Sequence, residues 1–296
     1  PRGPVALGLI GAAVIAAWQG VIRRGAPRLG LVAAAMALLL GAVGVLNLAH
    51  GAVYMAGAYV TWTFGMLMGW PFPLAVAMAA VACAVLGLAF ERLFRLVPRS
   101  PNEQILLSFG LIYIMANVAQ WIWGPVAKPP FDVSWLAGSV QLGVVAIPVG
   151  RLAIAVVGFG IAVLLWYAQD KTRIGAIVRA GMDDPTMTRA LGINLNLVVV
   201  AVFVLGSAVA GIAGGVGGLV LGASSDQPMQ ILLLALIVVV VGGVGSVSGT
   251  IFAALLIGLL DSVSRFLFPD MAVVVLYALM VAVLVIRPTG ISGRAS

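Results

Sequence analysis

The sequence predicts an all-α membrane protein that crosses the bilayer about eight to ten times, with spanning helices of about 20 apolar residues. Hydrophobic residues make up 63% of the 296-residue chain, charged residues only 8%, and the mean hydropathy is +1.19. A soluble domain needs about 25% charged residues to cover its surface. The composition therefore excludes a soluble enzyme, and the apolar runs indicate a polytopic protein.

Ten apolar segments account for this prediction. They cover residues 6–21, 29–48, 52–70, 74–90, 104–123, 152–168, 195–221, 230–241, 247–260 and 271–286. Residues 1–28 form an N-terminal extension whose apolar part lacks a small-residue cleavage site, so we expect a retained helix there rather than a signal peptide. Residues 29–296 are predicted to form a single transmembrane domain.

Positive charge indicates which ends of these segments face the cytoplasm. Twelve of the sixteen Lys and Arg residues lie in four short clusters between apolar runs. Basic residues concentrate in cytoplasmic loops, so the net charge of +7 predicts orientation rather than a nucleic-acid partner. The clusters are Arg23, Arg24 and Arg28; Arg92, Arg95 and Arg99; Lys171, Arg173, Arg179 and Arg189; and Arg287 and Arg294. The loop 124–150 and the stretches 222–228 and 265–270 are then external.

An interrupted helix is predicted at Asn47-Leu48-Ala49-His50-Gly51. Three apolar segments lie between the first two basic clusters. If both clusters are cytoplasmic, the chain must cross the membrane an even number of times between them, so one of the three segments is not a full crossing. Unpaired backbone is tolerated at membrane depth only where protein or water covers it, so we expect a buried break. Asn47 and His50 either line a solute pathway there or satisfy the backbone that the break exposes. Gly51 is assigned to the same pathway. Tyr54, one helical turn after His50, either shares that cavity or is a packing residue. Asn117 either lines the same pathway or joins helices through hydrogen bonds.

The charged segment, defined as residues 170–194, interrupts the apolar chain. Seven of the sixteen basic and nine acidic residues lie between Asp170 and Arg189. A charge at the bilayer centre costs about 2.5–3.5 kcal/mol or more, so this segment must lie in water. Thr172 or Asp170 can cap a first short helix, and Asp184-Pro185 predicts a second one that ends at Gly192. Arg173, Arg179 and Arg189 either pair with an acidic partner or contact lipid phosphates.

Two glycine pairs, Gly211/Gly215 and Gly214/Gly218, are each four residues apart and therefore share one helix face. Small residues at this spacing let neighbouring backbones approach closely. The pairs indicate either tight packing in a bundle or a flexible or broken helix that lines the pathway.

Five motifs in order resemble the permease subunits of branched-chain amino acid ABC transporters. They are Asn47-Leu48-Ala49-His50-Gly51 with Tyr54; Glu91-Arg92 with Arg99-Ser100; Arg173-Ile174-Gly175 through Arg179, Asp183, Arg189 and Gly192-Ile193-Asn194; Gly242-Gly243-Val244-Gly245; and Arg287-Pro288-Thr289-Gly290. Together they extend over about residues 30–293. One departure is Ala52, where the family often has a carboxylate after the His-Gly pair.

The resemblance implies an inverted-repeat permease fold in the bacterial inner membrane. It also implies import of branched-chain or other hydrophobic amino acids, or of a related small solute such as urea. The implied partners are a homologous second permease, two cytoplasmic ATPase subunits that dock on the charged segment, a periplasmic binding protein and membrane lipids. ATP would be bound by the ATPases, because this sequence has no Gly-x-x-x-x-Gly-Lys-Ser/Thr loop and no cofactor site is expected in it.

Two other functions compete with this one. An ion-coupled secondary transporter would need buried carboxylates, and Asp261 is the candidate. An intramembrane serine protease could combine Ser248 with His50, but the sequence has no Gly-x-Ser-x-Gly nucleophile motif. We therefore expect a transporter that is not an enzyme and has no metal site.

Overall fold

A computed structural model describes residues 48–97, 100–136, 138–142, 145–243, 246–287 and 289–291. Within this part the chain is mostly helical, as predicted. The helices are α1 (His50–Trp62), α2 (Phe72–Leu96), α3 (Pro101–Trp123), α4 (Val149–Lys171), α5 (Arg173–Asp183), α6 (Pro185–Ala190), α7 (Leu195–Leu221), α8 (Gln227–Gly242), α9 (Val247–Leu267) and α10 (Ala272–Ile286).

Six helices in the described part are long and apolar enough to cross a membrane, which confirms a polytopic membrane protein. They are α2, α3, α4, α7, α9 and the stretch Pro269–Ile286 that contains α10. Two further apolar helices are shorter: α8 has 16 residues, and α1 has 13 residues before a π-helical turn over Thr63–Leu67. The extension 1–28, the segment 6–21 and most of the segment 29–48 lie outside the described residues.

Two contacts between connecting segments lie at opposite ends of the bundle. At one end of the bundle, the Arg95 guanidinium lies 3.5 Å from the carbonyl oxygen of Asn196, so the α2–α3 connection adjoins the charged segment. At the other end, Lys128 and Ala223 exchange backbone hydrogen bonds of 2.8 and 3.2 Å. The connections that follow α3 and α7 therefore lie together on the side expected to be external.

The core is built where α1 crosses α7 and α2. Gly57 of α1 faces Gly211 of α7, and the side chain of Cys83 in α2 lies at the same crossing. Because these positions have little or no side chain, the three helix backbones come close together. Helix α7 is continuous from Leu195 to Leu221, with most of its glycines buried. Tight packing is confirmed, and the alternative of a broken glycine-rich helix is wrong.

The external loop contains a β-hairpin that the sequence did not predict. Strands β1 (Ser139–Leu142) and β2 (Val145–Pro148) pair antiparallel, with Val140 opposite Ile147. Strands of four residues are too short to leave a clear alternating pattern in the sequence. The hairpin brings the chain directly to the first residue of α4.

Candidate functional site

The charged segment consists of the two short helices that the sequence predicted, each capped by its own side chain. Thr172 Oγ1 accepts a hydrogen bond of 3.2 Å from the N–H of Gly175 at the start of α5. Asp184 Oδ1 accepts two bonds of 2.9 Å from the N–H groups of Thr186 and Met187 at the start of α6. Side chains of this type stabilise a helix start by about 1 kcal/mol. The segment is therefore an ordered element.

The end of the charged segment is equally well defined. Gly192 has φ +81°, a left-handed conformation that favours glycine and stops α6. Asn194 Oδ1 then accepts hydrogen bonds of 3.1 and 3.3 Å from Asn196 and Leu197, which begins α7. The turn at Gly192 thus fixes the direction in which the chain returns to the membrane.

Helix α5 is fastened to the end of α4. A Cβ on Gly175 would lie 2.0 Å from the carbonyl oxygen of Gln169, so glycine alone allows this approach. The Arg179 guanidinium donates to the same Gln169 carbonyl and lies 3.7 Å from a carboxylate oxygen of Asp170. A cation at the C-terminal end of a helix also complements the helix dipole. Helices α4 and α5 are therefore joined at two points.

The predicted coupling residues differ in their surroundings. Arg173 and Arg189 are exposed, as is Asp184, whereas Arg179 is partly covered by its intrachain contacts. Asp183 is the last residue of α5. The exposed surface of the two helices also carries apolar side chains: Ile174, Met187 and Leu191 are 60–71% exposed. Exposed apolar side chains beside cationic ones are typical of a surface that binds another protein.

The predicted pathway residues at the start of α1 are deeply buried. His50 is 0% and Tyr54 is 1% exposed. The N–H of Leu48 donates to Ser108 Oγ of α3 at 3.2 Å, so a side chain satisfies the backbone where the helix begins. Helix α1 thus starts inside the protein, whereas the segment that would precede the predicted interruption lies outside the described residues. Asn47 lies outside the described residues.

The start of α1 meets the start of α8. A Cβ on Gly51 would lie 2.1 Å from the carbonyl oxygen of Pro228, so the two short helices touch here. Gln227, the first residue of α8, is buried, and its amide donates to the Gly222 carbonyl at 3.1 Å. The sequence analysis did not identify Gln227 as a site residue. A polar residue that directly precedes Pro228, at the start of a long apolar run, could have indicated a buried helix start.

Asn117 does not join this group. It lies on an exposed face of α3, and its amide donates to the Tyr113 carbonyl one turn earlier at 2.8 Å. Gln120 on the same helix donates to Ser225 Oγ at 3.0 Å, which ties α3 to the external connection after α7. The structure therefore brings together His50, Gly51 and Tyr54 and leaves Asn117 apart.

Two buried carboxylates are neutralised within the chain. Among acidic residues whose side chains are described, Glu91 and Asp261 are buried. Glu91 pairs with Arg95, and Asp261 accepts a bond of 2.8 Å from Arg265, each partner lying one turn further along the helix. The described residues contain no cluster of three or more metal-ligating side chains. The arrangement offers helix packing and a docking surface rather than reacting groups.

Comparison with known proteins agrees with this geometry. The family "Branched-chain amino acid transport system / permease component" matches residues 21–284. The chain is 30% identical to the high-affinity branched-chain amino acid transport system permease protein LivH of Escherichia coli (strain K12), over 89% of this chain and 91% of that protein. It is 29% identical, with the same coverage, to the corresponding permease BraD of Pseudomonas aeruginosa.

A more distant relative is named for a different solute. The chain is 25% identical to the fructose import permease protein FrcC of Rhizobium meliloti, over 81% of this chain and 69% of that protein. These matches extend well beyond the charged segment and the start of α1. The chain is a multi-pass membrane protein that belongs to the branched-chain amino acid transport system permease family, and it is a transport permease rather than an enzyme.

Proposed function

We propose that this chain is a permease subunit of an ATP-driven importer for branched-chain or other hydrophobic amino acids. The observation that carries the proposal is the capped, two-helix charged segment between two spanning helices of a chain that matches the family over residues 21–284. A permease needs such an element because it must receive mechanical work from separate ATPase subunits. FrcC, named for fructose, indicates that solutes vary within related permeases, so a related small solute such as urea is the nearest variant of the proposal.

Four protein partners and the membrane complete the proposed importer. Two cytoplasmic ATPases bind ATP and grip the charged segments, a homologous second permease packs beside this one, and a periplasmic binding protein delivers solute to the external loops. Exposed Arg173 and Arg189, with Asp183 and Asp184, form the polar part of the ATPase contact, and Gly192 sets its geometry. Anionic lipids of the inner membrane surround the same basic end of the bundle.

The fastening of α5 to α4 supports a lever mechanism. Because Gly175 and Arg179 hold the charged segment against Gln169, a displacement of the segment would move the inner end of α4 with it. Helix α7 packs through glycines against α1 and α2, so the buried start of α1 lies next to the moving pair. ATP-driven closure of the ATPases would thereby reach the centre of the bundle as a rigid-body tilt.

The pathway is proposed to run past the interrupted helix. His50, Gly51 and Tyr54 lie in the first turns of α1, beside the start of α8, and Asn47 precedes them in the sequence. Helix starts can attract a solute carboxylate through their unpaired N–H groups. Asn117 belongs to a second, exposed face with Tyr113, which the second permease would cover in the assembled importer. A buried His50 suits a pathway that is closed in this conformation.

An ion-coupled secondary transporter is the alternative function. Its best candidate for ion coupling, Asp261, already accepts a hydrogen bond from Arg265, as Glu91 does from Arg95. Because each buried carboxylate already has an arginine partner, neither is suited to exchange a proton or sodium ion in each cycle. This observation favours the ATP-driven mechanism.

The two functions differ in their energy source, which gives the first prediction. In cells that lack other leucine importers, we expect uptake through this permease and its partners to stop when ATP is depleted with the membrane potential maintained. Uptake should continue for minutes when a protonophore collapses the proton gradient and ATP is held constant. Radiolabelled leucine provides the measurement. The proposal would be contradicted if the protonophore stopped uptake and ATP depletion left uptake unchanged.

A further inference from the structure

A cavity lies at the external ends of the two helices that carry the charged segment. Its volume is about 340 Å³, within the range of small-molecule sites. Arg151 in the first turn of α4 and Leu219 and Val220 in the last turn of α7 line it, together with Phe131, Asp132 and Leu136 of the external loop. No part of the proposed ATPase contact or of the α1–α8 junction lies here.

The cavity walls are fixed by backbone contacts. The N–H of Phe131 donates to the Gly218 carbonyl at 3.1 Å, and a Cβ on Gly218 would lie 2.2 Å from the Phe131 ring. The pairing of Lys128 with Ala223 holds the same loop against the end of α7. On the opposite side, the N–H of Val149 donates to the Gly138 carbonyl at 2.8 Å. Anchoring of this kind produces a preformed site, which lowers the cost of binding.

The lining combines one cation, one anion and a set of apolar side chains. Arg151 can bind a carboxylate through paired N–H donors, and Asp132 can accept from an ammonium group. Phe131, Leu136 and Val220 provide an apolar wall, with the first two less than 8% exposed. A ligand that satisfies all three features carries both charges and an apolar side chain.

We propose that this cavity is an external binding site for a zwitterionic amino acid with an apolar side chain, held by Arg151, Asp132 and Phe131. The proposal rests on the proposed function, since it names a site for the same solute class outside the α1–α8 junction. A bound amino acid would link α4 to the loop that is anchored on α7. Occupancy would therefore act on the outer ends of the helices whose inner ends join the charged segment.

Ligand analogues and isosteric variants test the site. We expect leucine to raise the melting temperature of the purified, detergent-solubilised permease–ATPase complex, without the binding protein, more than leucinamide, which lacks the carboxylate, or 4-methylpentanoate, which lacks the ammonium group. Arg151→Gln should remove the preference for leucine over leucinamide, and Asp132→Asn the preference over 4-methylpentanoate. Each variant should weaken leucine binding about tenfold or more, since each loses a charge-assisted hydrogen bond. Asp270→Asn, an exposed carboxylate outside the cavity, should behave as wild type.

Three results would each contradict the proposed site. Leucine could fail to stabilise the wild-type protein, the analogues could stabilise it as much as leucine does, or the variants could bind leucine as tightly as the wild type does. A variant that loses only its affinity for the binding protein would show a protein-docking surface instead. The leucine-uptake experiment with ATP depletion tests the proposed function separately: ATP-driven uptake that is unchanged in both variants rejects the site and retains the function.

Discussion

Gly214→Val is expected to prevent the permease from folding. A Cβ at Gly214 would lie 1.9 Å from the backbone carbonyl oxygen of Tyr54 and 3.0 Å from the backbone nitrogen of Ala58, so α7 would be forced away from α1. Overpacking a well-packed core usually costs about 1–3 kcal/mol, and a clash with backbone cannot be relieved by a rotamer change. We therefore expect little monodisperse protein when a fluorescent fusion of the variant is examined by size-exclusion chromatography.

The matched control is Gly160→Val in α4. Gly160 is also a glycine within a spanning helix, but a Cβ there would meet nothing within 4 Å. This variant should elute at the wild-type position and in a similar amount. Equal yields of Gly214→Val and Gly160→Val would contradict the close crossing of α1 and α7 on which the described core depends.

Gly175→Val is expected to lower transport strongly while the permease still inserts and folds. The added side chain would displace α5 from the end of α4, because its Cβ would lie 2.0 Å from the Gln169 carbonyl oxygen. The displacement also separates Arg179 from Gln169 and Asp170. Coupling free energies between sites are typically about 1–3 kcal/mol, so we expect uptake to fall about tenfold or more. Leucine uptake and ATP hydrolysis by the same purified complex provide the measurement.

Ala176→Val controls for a larger side chain in the same helix. Ala176 is the next residue of α5 and is exposed, so valine should be tolerated there. The lever mechanism requires that Gly175→Val lowers uptake per ATP hydrolysed and that Ala176→Val does not. Normal uptake by Gly175→Val would refute the idea that the charged segment and α4 move as one unit.

Much of the fold was readable from the sequence because the membrane imposes a strong length and composition rule. The spanning segments and the two capped helices of the charged segment follow from apolar runs and from Thr172, Asp184 and Gly192. The tight crossing of α7 was one of two predictions made from its glycine spacing. Glycines four residues apart are compatible with either close packing or flexibility, because the backbone that packs against them is distant in the sequence.

The candidate sites were less accessible to sequence reasoning. The intrachain contacts of Arg179 depend on how α5 folds back on α4, a geometry that no local pattern encodes. His50 and Tyr54 were noticed, but their complete burial follows from long-range contacts of α1 with α3, α7 and α8. The external cavity was missed because Asp132 and Arg151 lie on either side of a loop whose hairpin left no clear pattern.

The proposed ATPase docking requires the charged segment to face the cytoplasm, and cysteine labelling reports this orientation. The single native cysteine, Cys83, is 0% exposed, so an introduced cysteine acts as the reporter. In intact spheroplasts, a membrane-impermeant thiol reagent should label Asp226→Cys, which is exposed in the external connection after α7. It should label Thr186→Cys, exposed on α6, only after the membrane is permeabilised. Labelling of Thr186→Cys from outside sealed spheroplasts would place the charged segment away from any cytoplasmic ATPase and contradict the account.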